Sequence, residues 1–181
     1  MTEKIFNDLK DELKIGLTEK NHPFKLATLA TVGLDKMARL RTVVVRQLSD
    51  DLNITFYTDK RSKKVTHIIE NNKVSMLFYH PEKRIQLKME GIATIIKNLE
   101  ILEKHWAKIS ENAKKDYTTD KAPGSSIKQN DEVQYLNDTH HFCIINIELR
   151  KIEYLKLNTD KHTRIRYSLD NGIWNGEFLV A

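Results

Sequence analysis

Short runs of β-branched, aromatic and apolar residues, each closed by a tight polar turn, fill most of this 181-residue chain and constrain its fold more than any other feature. Phe24–Val32 ends at Gly33-Leu34-Asp35, Met37–Gln47 ends at Ser49-Asp50-Asp51, and Asn53–Tyr57 follows directly. Three consecutive strands through short turns read as an antiparallel meander. Lys73–Tyr79 and Arg84–Ile96 flank His80-Pro81-Glu82, and the tail offers Phe142–Glu148, Lys151–Leu157, Thr163–Ser168 and Ile173–Leu179. Between the last two, Asn171-Gly172 is a strong hairpin signal, because both residues tolerate positive φ.

Helical periodicity is confined to the gaps. Ile5, Leu9, Leu13 and Leu17 recur every four residues over 2–20, with Thr2 placed to cap the helix and Asn21-His22-Pro23 to stop it. Val65, Ile68 and Ile69 share a face within 63–71, and Leu99, Leu102 and Trp106 within 98–115. A short helix is expected over 131–137, and 117–130 has the least pattern. The expected architecture is mainly β with peripheral helices (α+β), a mostly antiparallel barrel of about six to eight strands. No repeat or linker divides the chain, so residues 1–181 are read as one domain, the helix at about 2–20 and the barrel at about 23–180.

Composition excludes several classes. With 30 Lys and Arg against 25 Asp and Glu, the formal charge of +5 is ordinary for a soluble domain. Apolar runs such as Phe142–Ile145 fall far short of the ~20 residues of a membrane helix. Residues Met1–Asp8 carry acids where a secretory leader carries bases and then an apolar segment. Cys143 stands alone, which forbids an intrachain disulfide and suits a reducing compartment. A cytoplasmic location is expected, with no membrane and no nucleic-acid partner.

Three features carry chemistry. Within 37–47, Arg39, Arg41, Val43 and Val45 share one face of the strand, and Leu40, Thr42, Val44 and Arg46 the other. A guanidinium in an apolar strand either reaches water at the strand end or meets an anion. The basic stretch Lys60-Arg61-Ser62-Lys63-Lys64 reads alone as a solvated turn or a nucleic-acid patch. After Phe56-Tyr57-Thr58-Asp59 and at the opening of a helix, however, its hydroxyl, ammonium groups and backbone N–H groups make a phosphate site. Gln86 offers a donor and an acceptor to a heterocycle edge, or simply faces solvent.

Arg41-Thr-Val-Val-Val-Arg46, Phe56-Tyr-Thr-Asp59, Ser62-Lys-Lys64, Glu70-Asn-Asn72 and Gln86…Gly91 together resemble the pyridoxamine 5′-phosphate oxidase-like family of FMN-binding split β-barrels. Order and spacing both fit across residues 24–96, and the C-terminal strands fit more loosely. The resemblance implies a homodimer with FMN at the subunit interface and a small-molecule substrate. It implies that Arg41, Thr42, Val43, Val44 and Arg46 lie along the flavin, that Tyr57, Thr58, Ser62, Lys63 and Lys64 hold it chiefly at the phosphate, and that Gln86 and Arg166 meet it elsewhere. The activity implied is that of an FMN-dependent oxidoreductase, with a non-catalytic flavin-binding or stress-related module as the alternative and a basic RNA-binding barrel as a further one.

The chain also departs from the family pattern. The Ser-Arg-Pro segment that holds the vitamin phosphate in the family is absent from His105–Lys115, Arg46 stands where the family has Lys, and Leu155 where it has Trp. The family's Arg-Leu-His motif falls near His162-Thr163-Arg164, a poor match. The flavin half of the pattern is present and the vitamin half degraded. Elsewhere, His140-His141 with Cys143 lacks the further ligands of a zinc site, and Ser125-Ser126 has no His-Asp arrangement for acyl transfer. No catalytic acid or base is assigned, because a flavin would carry the electrons itself.

Overall fold

The computed structural model describes residues 1–181, the side chain of residue 131 excepted. Eight strands form one antiparallel sheet: β1 (Leu26–Val32), β2 (Ala38–Leu48), β3 (Ile54–Asp59), β4 (Lys73–His80), β5 (Ile85–Ile95), β6 (Phe142–Lys156), β7 (Thr163–Asp170) and β8 (Ile173–Leu179). Their spatial order is β3-β2-β1-β4-β5-β6-β7-β8, and β3 also pairs with β6. Six strands thus close a barrel, which leaves no free edge around it, and β7–β8 extends from β6 as a hairpin. The alternation within each strand makes this possible. Ala27 and Leu29 of β1, Val43 and Val45 of β2, Ile54 and Phe56 of β3, and Leu87 and Met89 of β5 all point into one buried core. At the β7–β8 turn, Asn171 and Gly172 have φ of 50° and 80°, the two positive values that the hairpin signal required.

Four helices decorate the barrel: α1 (Thr2–Thr18), α2 (Lys63–Glu70), α3 (Leu99–Trp106) and α4 (Glu111–Lys114). The structure departs from the expected elements at several points. Expected strands 142–148 and 151–157 are one 15-residue strand, β6. The register against β5 shifts between Glu90 and Gly91, leaving Arg150 as an extra residue, so inward positions change from Ile145, Ile147 and Leu149 to Ile152 and Tyr154. That slip in parity imitates a turn. The expected helix over 98–115 breaks after Trp106 and resumes at Glu111, and in place of a helix 131–137 contains the end of a 3-10 turn, Asn130–Glu132, and an isolated antiparallel bridge of Tyr135 to Thr119. Met1, not Thr2, occupies the N-cap of α1, without a side-chain cap bond.

The bulge explains Gly91. A Cβ there would run into the backbone carbonyl of Glu148, so the β5–β6 approach admits no side chain. Gly91→Val should therefore cost roughly 2–4 kcal/mol in chemical denaturation, by forced separation of the two strands. A loss below the measurement error would show that the strands part easily here.

Helix α1 covers one end of the core through Leu9 and Leu13, with Phe6 against Tyr167 at 4.7 Å and the Tyr167 hydroxyl donating to the Thr2 carbonyl at 2.8 Å. A mostly buried carboxylate fastens it. Glu12 accepts from Lys83 Nζ at 2.6 Å to each oxygen, lies 3.0 Å from His22 Nε2, and is 3.5 Å from His80 Nε2. This trio has the spacing of a metal site. Its hydrogen bonding argues otherwise. His22 Nδ1 accepts from the Phe24 amide and His80 Nδ1 from the Lys83 amide, so each Nε2 carries the proton and points it at Glu12. The cluster is an ionic latch.

Burial raises the Glu12 pKa, but the hydrogen bonds from Lys83 and His22 outweigh it and hold the carboxyl below its ordinary 4.5. A depressed folded value means stabilisation that is complete above the unfolded pKa and lost as pH falls through the folded one. Glu12→Gln should destabilise the chain by about 1–2 kcal/mol at pH 7 and flatten the loss of stability below pH ~4.5. Urea titrations at several pH values would show it, and an unchanged acid limb would remove Glu12 from the account.

Candidate functional site

The sequence-selected residues gather where β1, β2 and β3 meet the start of α2. Thr31, Arg41 and Thr58 occupy inward-facing positions of their strands, but beyond the apolar core, where the barrel opens beneath α2. Lys64 Nζ donates to Thr58 Oγ1 at 2.9 Å, and Thr58 Oγ1 lies 3.3 Å from Ser62 Oγ. Arg41 donates to the Leu29 carbonyl at 3.2 Å and to Thr31 Oγ1 at 2.7 Å. Ser62 stands at the N-cap of α2 with its side chain making no cap bond, so the first amides of the helix remain open beside two hydroxyls.

The electrostatics are unusual for a fold's own purposes. Burial lowers the pKa of Arg41, and burial together with the Arg41 charge lowers that of Lys64, against the pull of Asp59. Each cation is half-buried and near the other. Among the described residues, neither forms a salt bridge to a carboxylate. Two desolvated like charges held together by neutral hydroxyls and a carbonyl are destabilised unless an anion joins them. The nearest acid, Asp59, is already taken: Arg61 donates to it from its amide at 2.7 Å and from its guanidinium at 2.7 and 3.1 Å. Arg61 also reaches the carbonyls of Thr119, Asp120 and Lys121, so it ties down an irregular loop and contributes nothing to the open site. Cys143 lies close by, but burial pushes its thiol up to about 11, which keeps it protonated.

The remaining candidates fall elsewhere. Lys63 is exposed, and its side chain makes no hydrogen bond or ion pair among the described residues. Val43 packs into the core, so only its backbone is open to a ligand, whereas Thr42 and Val44 face outward. Arg46 sits at a register shift in β2, its guanidinium 5.5 Å from the ring centre of Tyr57. The Tyr57 hydroxyl lies 2.6 Å from His105 Nδ1 on α3, an interaction that sequence reasoning missed. Burial lowers the His105 pKa, Lys108 and Lys104 lower it further, and burial raises that of Tyr57. Gln86 and Arg166 are on the outward faces of β5 and β7, strands that pair with neither β2 nor β3. Arg166 is bound to Glu177 at 2.7 Å. One of the sequence motifs, Glu70-Asn-Asn72, proves structural: Asn71 ends α2 and accepts the Lys73 amide at 3.1 Å, and the Asn72 carbonyl accepts from Ala93 at 2.8 Å.

Among solved structures, the fold is similar to a pyridoxamine 5′-phosphate oxidase-related, FMN-binding protein of Nostoc punctiforme (TM-score 0.81, 21% identity, 97% of this chain and 96% of that one). It is also similar to PhzG of Burkholderia lata in complex with tetrahydrophenazine-1-carboxylic acid (TM-score 0.79, 19% identity, 97% and 92%). At those identities the likeness speaks for the split-barrel fold. In sequence, the chain is 35% identical over 83 residues to the pyridoxine/pyridoxamine 5′-phosphate oxidase of Thermosynechococcus vestitus and 34% identical over 93 residues to that of Aliarcobacter butzleri. These matches cover 46% and 51% of this chain, and the chain spans only 37% and 42% of those relatives' lengths. The family model for the pyridoxamine 5′-phosphate oxidase FMN-binding domain matches residues 6–97. That stretch holds β1, β2, β3 and α2, and with them Arg41, Thr58, Ser62 and Lys64; the chain belongs to the pyridoxamine 5′-phosphate oxidase FMN-binding domain family.

Proposed function

We propose that this protein is an FMN-dependent oxidoreductase acting on a small molecule, and that FMN is seated by its phosphate at Arg41 and Lys64. The observation that carries the reading is the pair of half-buried cations that, among the described residues, have no carboxylate partner, set against two hydroxyls and the open start of α2. A phosphate dianion satisfies all of these groups together, and riboflavin brings no anion to them. Bound flavin supplies two-electron chemistry, and the chain supplies binding, orientation and local charge. Arg41 and Lys64 fix the phosphate end. Thr42 and Val44, facing outward from β2, border the ring, and Arg46 beside Tyr57 keeps a positive charge on the same wall.

Gln86 and Arg166 reach this flavin only from a second copy, so we place the cofactor in a cleft shared by a homodimer. The outer wall of the barrel favours that assembly. Leu26, Leu40, Leu77 and Tyr79 are 50%, 68%, 40% and 50% exposed on adjacent strands, and Gln86 is the register partner of Tyr79. Exposed apolar residues grouped on one face in this way mark an interface, and a two-fold partner covers it with the same face.

The substrate is a small molecule other than a vitamin B6 phosphate, because the segment after β5 lacks the Ser-Arg-Pro anion site. One preparation tests the whole reading. Purified protein should carry the two visible absorption bands of a flavin, release FMN on denaturation, and scatter light as a particle of twice 21.2 kDa. Added FMN should raise the melting temperature by mass action, and anaerobic addition of a two-electron donor should bleach the bands. A monomer that binds FMN would remove the shared cleft. Flavin that no donor reduces would leave a binding module.

A further inference from the structure

Two buried residues outside the sequence-selected set are linked to Arg41. Thr31 ends the inward row of β1 and is 2% exposed, and His67, on the buried face of α2, is 8% exposed. Thr31 Oγ1 accepts from Arg41 Nη1 at 2.7 Å and lies 3.0 Å from His67 Nδ1. The hydroxyl has one proton. Because its oxygen is already accepting from a guanidinium, that proton is best directed to His67 Nδ1, which makes His67 a neutral acceptor with its proton on Nε2. The electrostatics agree with the geometry: burial, then Arg41 and Arg39, lower the His67 pKa, with Asp35 the one opposing charge.

We infer that Thr31 and His67 are positioning residues, a relay that aims the Arg41 guanidinium at the phosphate. This rests on the reading of the site as an FMN phosphate cradle. The physical need is clear. An arginine side chain has four rotatable bonds, and a half-buried guanidinium repelled by Lys64 drifts toward water unless something holds it. The Leu29 carbonyl and Thr31 Oγ1 hold the same nitrogen, leaving the other end of the guanidinium fork for a ligand. His67, by accepting the hydroxyl proton, fixes the rotamer in which Thr31 presents a lone pair to Arg41. His67 thus acts on the ligand through two intermediates, without touching it.

The test compares FMN and riboflavin, which differ only by the phosphate, on Thr31→Val, Thr31→Ser, His67→Leu and His67→Asn. Thr31→Val keeps shape and β-propensity but removes the hydroxyl, and should lose on the order of tenfold in FMN affinity with riboflavin unchanged. Thr31→Ser and His67→Asn, which retain the hydroxyl and an acceptor near the Nδ1 position, should restore most of the loss, and His67→Leu should not. Nitrogen-15 NMR of the wild type should show His67 protonated at Nε2, a readout independent of flavin. A wild type that prefers FMN while Thr31→Val keeps the same preference would overturn the relay alone. Equal wild-type affinity for FMN and riboflavin would overturn the cradle, and the relay with it. Losses equal for both flavins, or a His67 proton on Nδ1, would reduce these residues to core packing.

Discussion

The double variant Arg41→Met, Lys64→Met should bind FMN on the order of a thousandfold more weakly than the wild type, with riboflavin affinity changed by less than about threefold. Methionine keeps the apolar stems that line the barrel mouth, so the change removes charge more than volume. Each charge-assisted contact contributes roughly 1.5–3 kcal/mol, and the two together reach about 4 kcal/mol even when they overlap. The same substitutions also relieve repulsion between two half-buried cations, so the variant without ligand should melt at or above the wild-type temperature. That opposite movement of stability and affinity distinguishes a ligand site from a structural pair. Lys63→Ala is the internal control. Its ammonium is exposed, and its loss should change FMN affinity by no more than about threefold. A loss at Lys63 as large as that at Lys64 would mean that both lysines reach the phosphate.

The second large effect concerns substrate. With FMN bound, the protein should oxidise pyridoxine phosphate and pyridoxamine phosphate on the order of a thousandfold less efficiently than a true vitamin oxidase, or not at all. Recognition of a substrate phosphate needs several convergent cations and hydroxyls. In the segment after β5, Trp106, Lys114 and His140 instead form their own stack, with His140 on Trp106 at 4.1 Å and Lys114 above the same ring at 5.2 Å. Lys114 is further bound to Glu111 at 2.6 Å. Pyridoxal phosphate formation under air is the assay, and ordinary oxidase turnover would place this chain in vitamin salvage.

The barrel was legible in the sequence because its strands alternate cleanly and its turns carry the residues that tight turns need. β6 was not, because a single bulged residue, Arg150, reverses the alternation halfway along and looks like a break. The site was half legible. Arg41, Thr58, Ser62 and Lys64 stand in local motifs, and folding brings them together. Arg61 belongs to the basic stretch in sequence, yet its partners at 119–121 lie some sixty residues away in a loop without periodicity. Thr31 carried a readable signal: a hydroxyl in the inward row after Ala27 and Leu29 breaks the apolar pattern where the core ends. His105 carried none, since only the packing of α3 against β6, the neighbour of β3, brings it to Tyr57.

A crystal structure of the protein grown with FMN would locate the phosphate. It should lie within hydrogen-bond distance of Arg41 and Lys64 of one protomer, with the Thr58 and Ser62 hydroxyls beside it and Gln86 of the partner subunit at the ring. A phosphate bound away from Arg41 and Lys64, or a flavin enclosed by one protomer alone, would contradict that placement.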